Sequence, residues 1–209
     1  GANQSNTVLL TDGLNGNNVT AYFDAGTGTM YYWKGTYNQL ADPHGSIMLH
    51  ADSSNLFNNF GALEEIDLNF YTSNVTTMNR MFSSCGKLKT LDLSNFNTSK
   101  VTSMHRMFDN CTSLSTLNIS SFDTSQVTDM GSMFSDCSNL KALDVSNFNT
   151  KQVTSMNSMF ANCQNILNLD VSNFDTTQVT NMAGMFINCS GLKTLDLSNF
   201  NTSKVTSMH

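Results

Sequence analysis

Proline is all but missing from this chain. Pro43 is the one occurrence in 209 residues, which excludes a Pro-rich linker. Arginine is nearly as scarce, with only Arg80 and Arg106. Charged residues make up 12% of the chain and the formal net charge is −6. A nucleic-acid partner needs clustered Lys and Arg to neutralise phosphates, so the balance argues against that class. No apolar run approaches the roughly 18–20 residues of a membrane span. No charged-then-apolar leader opens the chain, so any secretion signal is expected to have been removed or left out. Asn, Ser and Thr stand where charge usually stands and predict a polar, weakly charged surface.

Methionine, phenylalanine and cysteine are in excess, at 13, 14 and 5. One repeat explains all three. Cys85, Cys111, Cys137, Cys163 and Cys189 are each 26 residues apart. Val75 to Val205, Met78 to Met208, Met81 to Met185 and Phe82 to Phe186 keep the same step. The unit reads L-x-L-S-x-F-[ND]-T-x-x-V-T-x-M-x-x-M-F-x-x-C-x-x-L-x-x. "LDLSNFNTSKVTSMH" occurs at 91–105 and again at 195–209. The stop at His209 reads as a cut through a longer array, leaving Leu195, Leu197, Phe200, Val205 and Met208 uncovered. That end is expected to fray or to self-associate.

Two periods coexist in the unit. Leu91 and Leu93 alternate, as in a short strand with one buried face. Val101, Met104, Met107, Phe108, Cys111 and Leu114 recur at threes and fours, which predicts a helix of about two to three turns. Thr98 and Ser99 would cap it. A single unit has too little apolar surface to fold alone, so units must stack. Strands stack about 4.8 Å apart and helices about 8–10 Å apart, so strands would line a concave side and helices a convex one. The expected fold is α/β: a leucine-rich-repeat-like curved solenoid of 26-residue repeats, with a parallel concave sheet and convex helices. "NLFNNFGALEEIDL" at 55–68 is an atypical first unit. Residues 1–52 lack the pattern, and "VTAYFDAGTGTMYYW" at 19–33 reads as two strands around a turn, with "SIMLHA" as a third. The expected organisation is a small β-rich N-terminal cap over 1–52 and a solenoid over 53–209, truncated in its last repeat.

Leu114, Leu117 and Ile119 have the L-x-x-L-x-L core of leucine-rich repeats, with Phe122 where those repeats usually carry Asn or Cys. The F-[ND]-T-S-x-V-T-x-M-x-x-M-F-x-x-C half resembles the BspA-like leucine-rich-repeat proteins of bacterial surfaces, from about Ser53 onward. The segment before it resembles what precedes such repeats in lactobacilli and other Firmicutes. The resemblance implies an extracellular, wall-anchored adhesin of the bacterial cell surface. Its partners would be host mucus glycans, matrix protein or an epithelial receptor, bound non-covalently. It supplies no catalytic residues.

The candidate binding surface is the concave face. It carries Asp67, Asp92, Asn118, Asp144, Asp170 and Asp196. Thr90, Thr116, Ala142, Asn168 and Thr194 flank that file, and Ser94, Ser120, Ser146, Ser172 and Ser198 follow it. Asn95, Ser121, Asn147, Asn173 and Asn199 come next. The plainer reading is a solvated sheet face whose Ser and Thr contact backbone. Carboxylates about 5 Å apart repel, which predicts raised pKa values and adhesion that strengthens in acid. Too few oxygens per strand argue against calcium. The Cys and Met columns lie on the apolar face and read as reduced thiols and core packing, not as disulfides or a copper site. His44, His50, His105 and His209 form no column. No catalytic triad or phosphate loop is present, so neither an enzyme nor a cofactor is expected. "MYYWKGTY" at 30–37 is cap core or an exposed contact patch. A structural spacer projecting another binding domain from the wall is the alternative function.

Overall fold

A computed structural model describes residues 7–11, 18–24, 29–34, 47–66, 68 and 70–208. Near the N-terminus, β1 (Thr7–Thr11), β2 (Asn18–Asp24) and β3 (Thr29–Lys34) form an antiparallel sheet in the order β1-β2-β3. The alternation at 19–33 matches β2 and β3, while β1 lies before it. β4 (Ile47–Met48) pairs in parallel with β5 (Phe70–Tyr71). β6 (Thr90–Asp92) pairs in parallel with β7 (Thr116–Asn118).

The expected helices are absent among the described residues, and the helix-flanked leucine-rich-repeat solenoid is not what this chain forms. An α-helix sends each N–H to the carbonyl four residues back. Here alternate N–H groups leave the unit. Met78, Arg80, Phe82 and Ser84 donate to the carbonyls of Ser103, His105, Met107 and Asp109, at 2.7–3.1 Å. Between them, Met81, Ser83 and Cys85 donate three residues back, to Met78, Arg80 and Phe82. Arg80 and Ser84 have φ of 54° and 61°, and their counterparts in later units are left-handed too. The segment is a run of tight turns. Its apolar side chains recur at threes and fours for that reason, which mimics a helical face.

The curvature argument fails with the helices. The rings of Phe57, Phe82, Phe108, Phe134, Phe160 and Phe186 form one stacked file, with successive centroids 5.2–5.9 Å apart. The side expected to need helix spacing therefore repeats near strand spacing. The parallel concave sheet is also reduced. Beyond β6 and β7 the described residues keep the Ala142–Asn168 bridge, while a second file of single bridges runs from Asp52 to Ser207 through Thr77, Ser103, Asp129, Ser155 and Asn181.

What survives is the stack and its core. The Val, Met, Met-Phe, Cys and Leu columns are buried through the central units. Thr98 caps no helix. It is buried, and its hydroxyl donates to the Asp123 carbonyl and accepts the Asp123 N–H. Thr72, Thr124, Thr150 and Thr176 make the same pair of hydrogen bonds to the next unit. The cysteines are free. Each thiol donates to the carbonyl of a phenylalanine in the preceding unit, as Cys111 does to Phe82 at 3.1 Å. At the C-terminal end, Ile187, Leu197 and Met208 are exposed. Together with Met182, Met185, Phe186 and Phe200 they line a cavity of about 270 Å³.

Candidate functional site

Parallel pairing lines up the strand-face residues. Asp92 lies opposite Asn118, Thr90 opposite Thr116, and Ala142 opposite Asn168. Asp92, Asn118, Asp144, Asp170, Asp196, Ser94, Ser120, Ser146, Ser172, Thr116 and Asn168 are all exposed. Asp67, His44, His209 and the side chains of "MYYWKGTY" lie outside the described residues.

The aspartates and serines act as pairs. Ser94, Ser146, Ser172 and Ser198 each donate a backbone N–H to the carboxylate two residues back, at 2.9 Å. Ser120 does the same to Asn118 at 3.2 Å. These are Asx turns, which fix the side chain against its own backbone. They also reverse the expected electrostatics. The Ser146 and Ser172 hydroxyls, then their N–H groups, lower the pKa of Asp144 and Asp170. For Asp92 and Asp196 the Ser94 and Ser198 N–H groups come first, then the hydroxyls. Repulsion enters only for Asp196, as the weakest of its influences, from Asp170. The acid-strengthened adhesion expected from mutual repulsion loses its basis, because hydrogen bonds to the ionised form outweigh it.

The next column is structural. The Asn147 amide donates to the carbonyls of Ile119, Ser120 and Phe122, and Asn173 and Asn199 repeat the pattern one unit on. Ser121 Oγ lies within hydrogen-bond reach of the Leu93 and Phe96 carbonyls. The surface left for a ligand is the outer carboxylate oxygens and the Thr and Asn of the strand. Lys89, Lys141 and Lys193 stand three residues before Asp92, Asp144 and Asp196 and are exposed. Lys89 pairs with Glu64 at 2.9 Å. Sequence reasoning passed over this lysine column.

A second group was also missed, on the run of tight turns. Asp109 is half-buried, and burial raises its pKa; Arg106 opposes that shift, Asp136 adds to it, and Ser135 and Arg80 oppose it more weakly. His105 Nδ1 lies 3.5 Å from Asp129 Oδ2 and is a buried atom without a hydrogen bond. Gly131 makes room for it, since a Cβ there would stand 3.0 Å from His105 Nδ1 and 2.6 Å from Asn157 Oδ1. These charges are departures from the repeat at 80, 105, 106, 109, 129 and 136. That is the signal that could have found them. Among the described residues no cluster of three His, Cys, Asp or Glu could hold a metal ion, and no helix is long and apolar enough to cross a membrane.

The sequence model of one family, described as "Mycoplasma protein of unknown function, DUF285", matches residues 51–166 and 137–209. No curated protein and no solved structure matches the chain.

Proposed function

This chain belongs to the DUF285 family, and on that premise we propose that it is a bacterial cell-surface repeat protein that holds an extracellular ligand non-covalently. The finer reading is a BspA-like adhesin, displayed outside the cell on a wall-anchored protein and bound to a mucus glycan, a matrix protein or an epithelial receptor. One observation carries it: a file of exposed carboxylates, each locked by an Asx turn and repeated unit after unit. Side chains already ordered lose little freedom on binding, so weak contacts add along the file. This role calls for no reacting group and no cofactor.

A spacer that projects another domain is the second reading. The uniform hydrogen bonding between units favours it, because such a ladder resists bending. An array of glycans and matrix proteins probed with this chain separates the two. Binding that falls in an Asp144→Asn/Asp170→Asn variant supports the ligand surface. No binding to any array member, with adhesion by a longer protein that contains the chain, supports the spacer.

A further inference from the structure

Half of the basic residues of this acidic chain fall in one stretch of sequence, 80–106. Arg80, Lys87, Lys89, Lys100 and Arg106 are five of the ten Lys and Arg, and Asp92 is the single acid between Arg80 and Arg106. Both arginines occupy the same position of the repeat, in adjacent coils. The Arg80 N–H donates to the His105 carbonyl at 2.9 Å, so the two backbones are in register there. Later units carry Ser132, Ser158 and Gly184 at that position. A guanidinium is therefore not needed to build the turn.

Neither arginine is in ion-pair contact, although both attract the half-buried carboxylate of Asp109, Arg106 more than Arg80. Among the described residues the ion pairs are Lys89–Glu64 and His105–Asp129 only, and no side-chain hydrogen bond reaches Arg80 or Arg106. Arg80 is exposed and Arg106 is partly buried, with its Nε covered and unpartnered. A half-buried guanidinium without a counter-ion in contact is costly. Both residues also sit at positive φ, 54° and 57°, where a non-glycine residue stores strain.

We propose that Arg80 and Arg106 form a two-pronged site for one anionic group, a sulfate ester or carboxylate, of an acidic polysaccharide. The planar fork of arginine binds such oxyanions in a bidentate way. Two forks one coil apart can grip one group from both sides, and Lys87 and Lys100, both exposed on the same coils, add favourable potential for a polyanion. The site goes beyond the strand-face reading. It lies on the turns, away from the strand-face aspartate file but beside Asp109, which a bound anion must tolerate.

The test is titration calorimetry of the whole chain with chondroitin sulfate, unsulfated chondroitin and neutral dextran, at low and high salt. The site predicts binding to the sulfated polymer that weakens with salt, no binding to dextran, and about tenfold weaker binding in either Arg80→Gln or Arg106→Gln. Retained binding to unsulfated chondroitin assigns the carboxylate as the gripped group; loss of it assigns the sulfate. Arg106→Lys, which keeps charge but not the fork, should bind between the wild type and Arg106→Gln. Thermal melting of each variant checks that the stack is intact. Equal affinity in a folded Arg80→Gln/Arg106→Gln protein, or no binding of either charged polymer by the wild type, overturns the site. Neither outcome touches the strand face, which the Asp144→Asn/Asp170→Asn variant tests separately.

Discussion

Thr98 and Asp123 hold each other twice. The Thr98 hydroxyl donates to the Asp123 carbonyl at 2.9 Å and accepts the Asp123 N–H at 2.8 Å. Both strand connections of successive units are thereby fixed by one buried side chain. Thr124 does the same to Asn149 and is 1% exposed.

Replacing Thr124 by Val keeps the shape and leaves the part-buried Asn149 N–H and carbonyl without their partner. Denaturant unfolding should show a loss of about 1–3 kcal/mol. Thr128→Val removes one exposed bond to the Thr102 carbonyl and should cost less than about 0.5 kcal/mol. Equal effects at the two sites would mean that the buried bolts do not join the units.

The thiols should be inert in the folded protein. Burial pushes Cys85 and Cys163 up to about 12, and raises Cys111 and Cys137 well above the ordinary thiol value. Thiolate is the reactive form. Cys189 is half-buried and should react first with a thiol reagent, with the other four following only on unfolding. Fast labelling of Cys137 under native conditions would contradict the core.

Acid should act on two sets of carboxyls with opposite signs. Asp92, Asp144, Asp170 and Asp196 have lowered pKa values in the fold. Their contribution is present at neutral pH and is lost as pH falls below about 4, through the folded values. Asp144→Asn should therefore lower Tm at neutral pH and not in strong acid. Asp109 is raised, chiefly by burial. Its ionised form opposes folding above its raised value, and protonation relieves the penalty. Asp109→Asn should raise Tm at neutral pH, and the gain should vanish below about pH 4. Melting curves of the two variants across this range check both signs.

The repeat and its buried columns were legible, because identical side chains every 26 residues report directly which positions face inward. The backbone path was not. Spacing at threes and fours is shared by a helix and by successive turns, and the deciding feature was sign of φ. A hint was present: Asn59, Asn110, Asp136, Asn162 and Asn188 share one column with Ser84, and Asn and Asp tolerate the left-handed region. Four residues ahead of Asn188 stands Gly184, also left-handed. Read together they mark two left-handed residues per unit, which no α-helix admits. At the strand face, exposure followed from alternation, but the D-x-S spacing that makes an Asx turn was read as two separate columns.

Gly184 probes that backbone at a single residue. Its φ is 62°, and an added Cβ would meet nothing closer than 3.5 Å. Gly184→Ala should therefore destabilise through the backbone alone, by about 1–2 kcal/mol in denaturant unfolding. No effect would place this residue in the helical region instead.

Far-UV circular dichroism of the whole chain tests the helix-free stack most directly. The structure predicts a spectrum without the twin minima of α-helix, carried by strand and turn. A helical spectrum amounting to about two to three turns in each unit would contradict it and restore the helix-flanked solenoid.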